Sequence, residues 1–397
     1  MNILQVNSIP SYKNFKSKDK FNILLLQIFT CFLLVSLKTN AETTNQTQTK
    51  YLFDDTKTIS EQLKRLRTAK RLSDTGLYLI QANTNLKQAE INPAVDLHIP
   101  IYPLFSDGER KQRHIYLPPG AQIDAININN WHFPVGTVFW KSFSNEDRYL
   151  ETRIAYKISL TGKSAKDRWE YKTYQWNEEQ TNAFITPEDQ RIKIPNTLHT
   201  IPKKSDCESC HISHNDYDFA LGFDTIQLSV HPQMITGGIN LVDLWFNNRI
   251  KTNDPKYFVQ LMDYQLPGSL TEKWLTGYMH TNCGSCHNSY KYSCSSDEKL
   301  NLRHRLPINT NQLNTANKSN VLLSSINKTM GSGYLIDTHT SGFQRLLNSD
   351  LYLRVSESNM PYDHGLRRNI DLVFLKKLEN YILKPPNEIK NKNNTLY

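Results

Sequence analysis

The sequence has no extended block of lysine or arginine, and it has only one strongly apolar run. Although the formal charge is +9, the basic residues are interleaved with acidic ones, so we expect a solvated surface and no nucleic-acid binding. Hydrophobic residues make up 38% of the chain, so the bulk of it is expected to be soluble. A chain of 397 residues can form about two or three domains, each with its own core.

The single apolar run, residues 21–37, lies near the N-terminus. It follows a lysine-rich stretch, 13–20, and is closed by Thr39, Asn40 and Ala41. This order of basic, apolar and small or polar residues is typical of a secretory signal peptide, with cleavage after Ala41. A retained N-terminal anchor is the alternative, because the run is near the lower length limit for spanning a membrane. In both cases we expect the rest of the chain to be exported.

Cysteine is scarce, and it occurs mainly in one repeated pattern. Residues 207–211 and 283–287 both read Cys-x-x-Cys-His. In a covalent haem-attachment site the two thiols bond to the porphyrin and the histidine ligates the iron. The sequence therefore predicts two covalently bound haem c groups (iron). The residues predicted to hold them are Cys207, Cys210, His211, Cys283, Cys286 and His287.

The alternative for these motifs is a pair of zinc-binding or redox Cys-x-x-Cys sites. Histidine accounts for 12 of 397 residues, so its chance occurrence after both cysteine pairs has odds on the order of 1 in 1000. The gap between the pairs is also much longer than the usual spacings of zinc fingers and ribbons. Haem is therefore favoured at both motifs.

The part of the chain before the first motif contains a short helix and then strands. Residues 42–94 are predicted to be a linker in which apolar positions three or four apart favour a helix at 57–72. Between 95 and 200 the side chains alternate between apolar and polar, with turn residues between the runs. We expect an antiparallel β-sandwich-like domain there.

From residue 201 on, the pattern is helical and rich in loops. The segment 201–268 carries the first motif. Ser269 to Glu272 has the form of a capping box, which predicts a helix that runs to about Asn282 and leads directly into Cys283. A second helix is predicted at about 370–383, before two prolines.

Together these patterns predict a multidomain α+β fold. In that fold the β-sandwich-like domain is followed by a mainly α-helical, cytochrome c-like haem region. Its domain with the second haem covers 269–384, and a polar tail follows at 385–397.

Met360 is the predicted sixth iron ligand of the second haem. It stands in Asn359-Met360-Pro361, just before the closing helix, and the proline fixes the backbone beyond the thioether. Ligation by histidine and methionine fills both axial positions, which favours electron transfer.

The first haem has no Met-Pro between His211 and Cys283. An iron left open there is the alternative to a sixth ligand, and it would allow ligand binding or peroxide chemistry. The side chains within reach in sequence are Met234, Met262, Met279, His214, His231 and His280.

An ordered series of further motifs lies around the two Cys-x-x-Cys-His patterns. It comprises Leu72-Ser73-Asp74, Leu104-Phe105-Ser106-Asp107, Phe133-Pro134-Val135-Gly136-Thr137, Glu151-Thr152-Arg153, Trp176-Asn177-Glu178-Glu179-Gln180-Thr181, Ile201-Pro202, Asn282-Cys283 and Met360-Pro361. In these motifs, over about residues 71–384, the chain resembles the exported diheme c-type cytochromes with an N-terminal β-domain found in Gram-negative bacteria. It departs from their usual pattern around 290–305, which is rich in polar residues.

The resemblance implies a periplasmic location and a role as an electron carrier or haem oxidoreductase. The haem-binding positions of that family correspond to the two motifs and to Met360. The leading hypothesis is a periplasmic diheme cytochrome that carries electrons between donor and acceptor proteins, with no membrane span after signal cleavage. A haem peroxidase or small-substrate oxidoreductase with an open first haem is the second hypothesis. A secreted zinc-binding or structural protein is the third.

Overall fold

The computed structural model describes residues 53, 57–79, 85–146, 148–162, 165–197, 199–211, 218, 220–230, 237–288, 300–307, 319–330, 333–360 and 369–384. All of them fall within one compact unit, Lys50–Tyr397. The predicted signal peptide and the polar tail lie outside the described residues. No helix in the described part of the chain is long and apolar enough to cross a membrane.

The helices and strands are numbered in chain order. The α-helices are α1 (Ile59–Thr68), α2 (Ala165–Arg168), α3 (Lys204–Cys210), α4 (Thr225–Leu228), α5 (Leu241–Phe246), α6 (Pro255–Leu261), α7 (Leu270–Asn282), α8 (Asn320–Leu323), α9 (Gln344–Leu347), α10 (Asp350–Ser356) and α11 (Leu372–Leu383). The strands are β1 (Asp96–His98), β2 (Arg110–Tyr116), β3 (Ile123–Asp124), β4 (Val138–Asn145), β5 (Arg148–Lys157), β6 (Trp169–Trp176), β7 (Ala183–Ile185), β8 (Ile192–Lys193), β9 (Thr200–Ile201), β10 (Ile250–Lys251), β11 (Thr329–Met330) and β12 (Gly333–Tyr334).

The chain is a mixed α/β protein built on one six-stranded antiparallel sheet. Its strand order is β1-β2-β4-β5-β6-β7, and the long central strands β4, β5 and β6 correspond to the alternating runs of the sequence. Because successive side chains of a strand point to opposite faces, Val138 and Trp140 lie on one face of β4, and Phe139 and Lys141 lie on the other. The prediction of an antiparallel sheet is confirmed.

Each face of this sheet is covered by helices and loops. Trp140 and Tyr156 share a hydrophobic cluster with Leu63 and Leu66 of α1, so part of the segment predicted to be a linker packs into the core. On the other face Ile115 shares a cluster with side chains from residues 220–266. The structure therefore differs from the predicted sandwich: in the described residues no second large sheet faces the first, because segments that read as linker and loop in the sequence supply that packing.

A third hydrophobic cluster holds the helices on either side of the second motif. Tyr278 of α7 stacks on Phe374 of α11, with ring centroids 4.2 Å apart. The α7 helix begins as predicted, because Ser269 Oγ accepts a hydrogen bond from Glu272 N–H while the Glu272 carboxylate accepts one from Ser269 N–H. The helices predicted to end at about Asn282 and to span about 370–383 are confirmed as α7 and α11. The domain boundaries at 200 and 268 stay predictions.

Candidate haem-attachment site

The second motif continues the last turn of α7. Cys283 N–H donates to Met279 O at 2.8 Å, and His287 N–H donates to Cys283 O at 2.8 Å. The amide of the buried Asn288 donates to Gly284 O at 3.0 Å and to Ser285 O at 2.9 Å. Backbone and side-chain hydrogen bonds therefore hold the motif in one compact turn.

A side chain at Gly284 would meet backbone atoms of two neighbouring segments. A Cβ placed on it would lie 2.5 Å from His280 O and 3.0 Å from Leu302 O, far inside van der Waals contact. On either side of it, Cys283 is buried and Cys286 is half-buried. The Nδ1 atom of His287 is buried as well. The close packing of Gly284 therefore sets where the two thiols and the histidine of this motif lie.

The first motif adopts the same local turn. Cys207 and Cys210 lie in α3, and His211 N–H donates to Cys207 O at 3.0 Å. Cys207 and His211 are half-buried, and the His211 ring lies 5.8 Å from the Tyr171 ring of β6. The side chain of Cys210 lies outside what the structure describes.

The structure packs Met360 against the hydrophobic cluster to which Cys283 of the second motif belongs. Its side chain is half-buried and packs against the cluster that contains Cys283 and Phe374. Its amide donates to Arg354 O at 3.1 Å, directly after α10. A thioether and a thiol that are far apart in sequence thus share one apolar environment.

The three described candidates for the sixth ligand of the first haem, His280, Met279 and Met262, lie in different surroundings. Both ring nitrogens of the buried His280 are engaged, since Nε2 lies 3.1 Å from Asp224 Oδ2 and Nδ1 accepts from His304 N–H at 3.0 Å. Met279 is fully buried in the cluster of the second motif, and Met262 packs against the cluster on the sheet. Met234, His214 and His231 lie outside the described residues.

A small pocket of about 40 Å³ lies beside the second motif. Its lining includes Asp218, Trp131 and, from the second motif, Gly284 and Ser285. The indole Nε1 of Trp131 is buried and donates no hydrogen bond to a described residue. A smaller pocket of about 10 Å³ touches Cys207, and the lining of neither pocket includes a motif histidine.

The residue before the second motif joins it to the segment between β1 and β2. Asn282 Oδ1 accepts from Phe105 N–H at 2.8 Å, and its amide donates to Pro103 O at 2.9 Å. The sequence marked residues 104–107 and 282–283 as motifs but gave Asn282 no role. The contact joins residues that are distant in the chain, so no local pattern signals it.

A buried charge cluster that sequence reasoning also missed lies on the sheet. Glu151 Oε1 lies 2.7 Å from His199 Nε2, and His199 Nδ1 lies 3.2 Å from Glu109. Burial alone would raise the pKa of Glu151, but Arg153 and His199 outweigh it and lower the pKa to about 2. Burial alone would lower the pKa of His199, but Glu109 and Glu151 outweigh it and raise the pKa to about 9.

The donors around the second motif are chemically suited to a covalent haem. The thiols of Cys283 and Cys286 lie on one helical turn, and His287 follows them. The thioether of Met360 packs against the apolar cluster that contains Cys283. Within the described ranges, no group of three or more His, Cys, Asp or Glu side chains is arranged to hold a metal ion. Comparisons with protein-family models, with curated proteins and with solved structures found no match to this chain.

Proposed function

We propose that this chain is an exported electron-transfer protein that carries two covalently attached haem c groups, one at residues 207–211 and one at 283–287. The observation that carries the proposal is the packing of Met360 against the cluster that contains Cys283. Bound haem supplies an iron that gains and loses one electron.

Each residue of the second motif would have its own role in holding the haem. The thiols of Cys283 and Cys286 would hold the porphyrin, and the His287 ring and the Met360 thioether would ligate the iron. The apolar side chains of α7 and α11 keep water from this site. We infer that residues 269–384 form a cytochrome c-like domain and that 201–268 form the first haem-binding segment.

The setting we propose is the periplasm. The apolar run at 21–37, preceded by lysines, would direct export and then be removed. Periplasmic donor and acceptor proteins would be the redox partners. The shared backbone turn of the two motifs supports the same attachment chemistry at both.

Matched cysteine variants test this function. The full chain is matured in cells that attach c-type haem, and haem is measured after denaturation. We expect Cys207→Ser with Cys210→Ser to retain only the second haem and Cys283→Ser with Cys286→Ser to retain only the first. The control is Cys294→Ser, which removes a cysteine outside both motifs and should retain both haems. An equal haem content in all of these proteins would refute attachment at the motifs.

A haem oxidoreductase is the second candidate, favoured by the small pocket beside the second motif. Trp131 offers an indole N–H there, and His280, one of the candidate sixth ligands of the first haem, already has both nitrogens engaged. A high-spin signal from one haem together with turnover of peroxide would support the oxidoreductase. Two low-spin haems without turnover would support the electron carrier.

A further inference from the structure

Three cationic side chains lie side by side across three neighbouring strands. In the sheet register Arg113 of β2 pairs with Lys141 of β4, and Lys141 pairs with Arg153 of β5. Directly opposed residues share one face, with Cβ atoms about 5 Å apart, and like charges at that distance repel each other. We call Arg113, Lys141 and Arg153 the cation row.

Two members of the cation row lack an anionic partner among the described residues. Arg153 pairs with Glu151, but the side chains of Arg113 and Lys141 make neither a hydrogen bond nor an ion pair with any residue the structure describes. Burial lowers the pKa of Arg113 to about 10. Burial, and then the charges of Arg153 and Arg113, lower the pKa of Lys141 to about 8. The surroundings therefore disfavour positive charge in the absence of an anion.

The carboxylates beside the row already face another cation, although Oε2 of Glu151 is buried and accepts no hydrogen bond from a described residue. Glu151 and Glu109 both face His199, whose raised pKa keeps it cationic at neutral pH. Further positive charge comes from Lys111, which lies 5.3 Å from the centre of the Phe143 ring and donates to Leu104 O and Phe105 O. Positive charge thus exceeds negative charge on this part of the sheet.

The cation row lies next to the first motif. Thr173 of β6, which is opposite Arg153 and continues the row, lines one small pocket together with Cys207. On the same face and one row along the sheet, Tyr171 contacts His211. Anything held at Cys207 therefore has the row beside it.

We propose that the cation row binds carboxylate beside Cys207. A guanidinium can hold a carboxylate through paired hydrogen bonds, and the lysine adds a point charge. One source of the carboxylate is the pair of propionates on a haem attached at the first motif, which rests on the proposed function. The other source is a small free carboxylate, which does not.

The test uses the full chain after c-type maturation and compares three variants with wild type. Lys141→Met removes the charge and keeps a similar stem, Lys141→Arg keeps the charge, and Lys256→Met removes an exposed lysine of α6 as the control. Measured are the thermal unfolding midpoint with and without citrate, and the reduction potential of each haem.

An occupied row predicts that Lys141→Met lowers the unfolding midpoint, because an anion loses its partner, while Lys141→Arg and Lys256→Met leave it near wild type. If the propionates are bound, Lys141→Met also shifts the potential of one haem, and citrate has no effect on the midpoint. If a free carboxylate binds, citrate raises the midpoint of wild type but not of Lys141→Met.

If no anion occupies the cation row, the change in the unfolding midpoint has the opposite sign. Lys141→Met would then raise the midpoint or leave it unchanged, because repulsion is relieved, and neither potential nor citrate dependence would differ from the control. That result would overturn the proposal even if both haems are attached. A protein without covalent haem whose midpoint still rises with citrate only in the presence of Lys141 would overturn the proposed function and leave the carboxylate site standing.

Discussion

The backbone amide of His287 donates a hydrogen bond to the carbonyl of Cys283 at 2.8 Å, and His211 makes the same bond to Cys207 at 3.0 Å. The two motifs are built on helices of different length, since α7 has 13 residues and α3 has 7. The repeat in the sequence is therefore also a repeat in local backbone structure. In each copy the backbone of both cysteines and of the histidine lies within one turn.

Met360→Leu should change the second haem and leave its attachment intact. Leucine has a similar volume, so the packing cost stays below about 1.5 kcal/mol, but it has no sulfur to ligate iron. We expect a lower reduction potential and an altered absorption spectrum for one haem. The control is Met279→Leu, a fully buried methionine of the same cluster, which should leave the spectrum unchanged. Identical spectra in wild type and Met360→Leu would exclude Met360 as a ligand.

Gly284→Ala should impair haem attachment at the second motif. The added Cβ would lie 2.5 Å from His280 O, and backbone cannot move aside as a flexible side chain can. To count the second haem alone, the substitution is introduced together with Cys207→Ser and Cys210→Ser. Ser285→Ala in the same background is the control and should retain the haem. Full haem content in Gly284→Ala would show that the turn is not needed in this form.

Asp218→Asn should strongly destabilise the fold. Asp218 pairs with Lys157, both nearly inaccessible to solvent, and also accepts hydrogen bonds from Trp169 Nε1 and Phe133 N–H, each at 2.9 Å. Removing one charge of a buried pair leaves the other unpaired, at a cost of about 3 to 5 kcal/mol in the free energy of unfolding.

The control for Asp218→Asn is an ion pair in a more solvated setting. Asp350→Asn removes a partner of Arg354, which lies 3.6 Å away with half of its side chain exposed, and should cost no more than about 1 kcal/mol. Denaturant unfolding of both variants gives the comparison. Equal midpoints would contradict the stabilising role of the buried pair.

The His199 cluster should make stability depend on pH on the alkaline side. Because Glu109 and Glu151 raise the pKa of His199 from 6.5 to about 9, its contribution is complete below about pH 6.5 and is lost as the pH rises towards 9. The loss is at most about 3 kcal/mol in the free energy of unfolding. His199→Gln should remove this dependence while keeping a polar side chain. Parallel pH profiles for wild type and His199→Gln would refute the assignment.

The elements that could be predicted from sequence are those with a local signal. The capping box from Ser269 to Glu272 fixed the start of α7, and strict alternation revealed the strand Trp169–Trp176. The spacing of Leu63 and Leu66 predicted a short helix, which the structure has as α1, but the segment 42–94 around it was predicted to be a linker, although this helix covers one face of the sheet. What covers a sheet face depends on distant segments, and no pattern within the strands reveals it.

The candidate site, like the fold, has parts that the sequence reveals and parts that it does not. The motif cysteines and histidines are visible as a repeated pattern, whereas the bond between Asn282 and Phe105 joins residues far apart in the chain. The cation row was hidden for the same reason. Arg113 and Lys141 are neighbours only through the register of β2 on β4, and strand register follows from the whole packed sheet.

The most direct test of the central claim is the mass of the intact, denatured chain after production with a c-type maturation system. Denaturation releases haem that is held only by ligation, whereas haem bonded through thiols stays with the polypeptide. We predict a mass equal to that of the processed polypeptide plus two haem groups. A mass equal to that of the polypeptide alone, from cells that mature other c-type cytochromes normally, would contradict the proposed function.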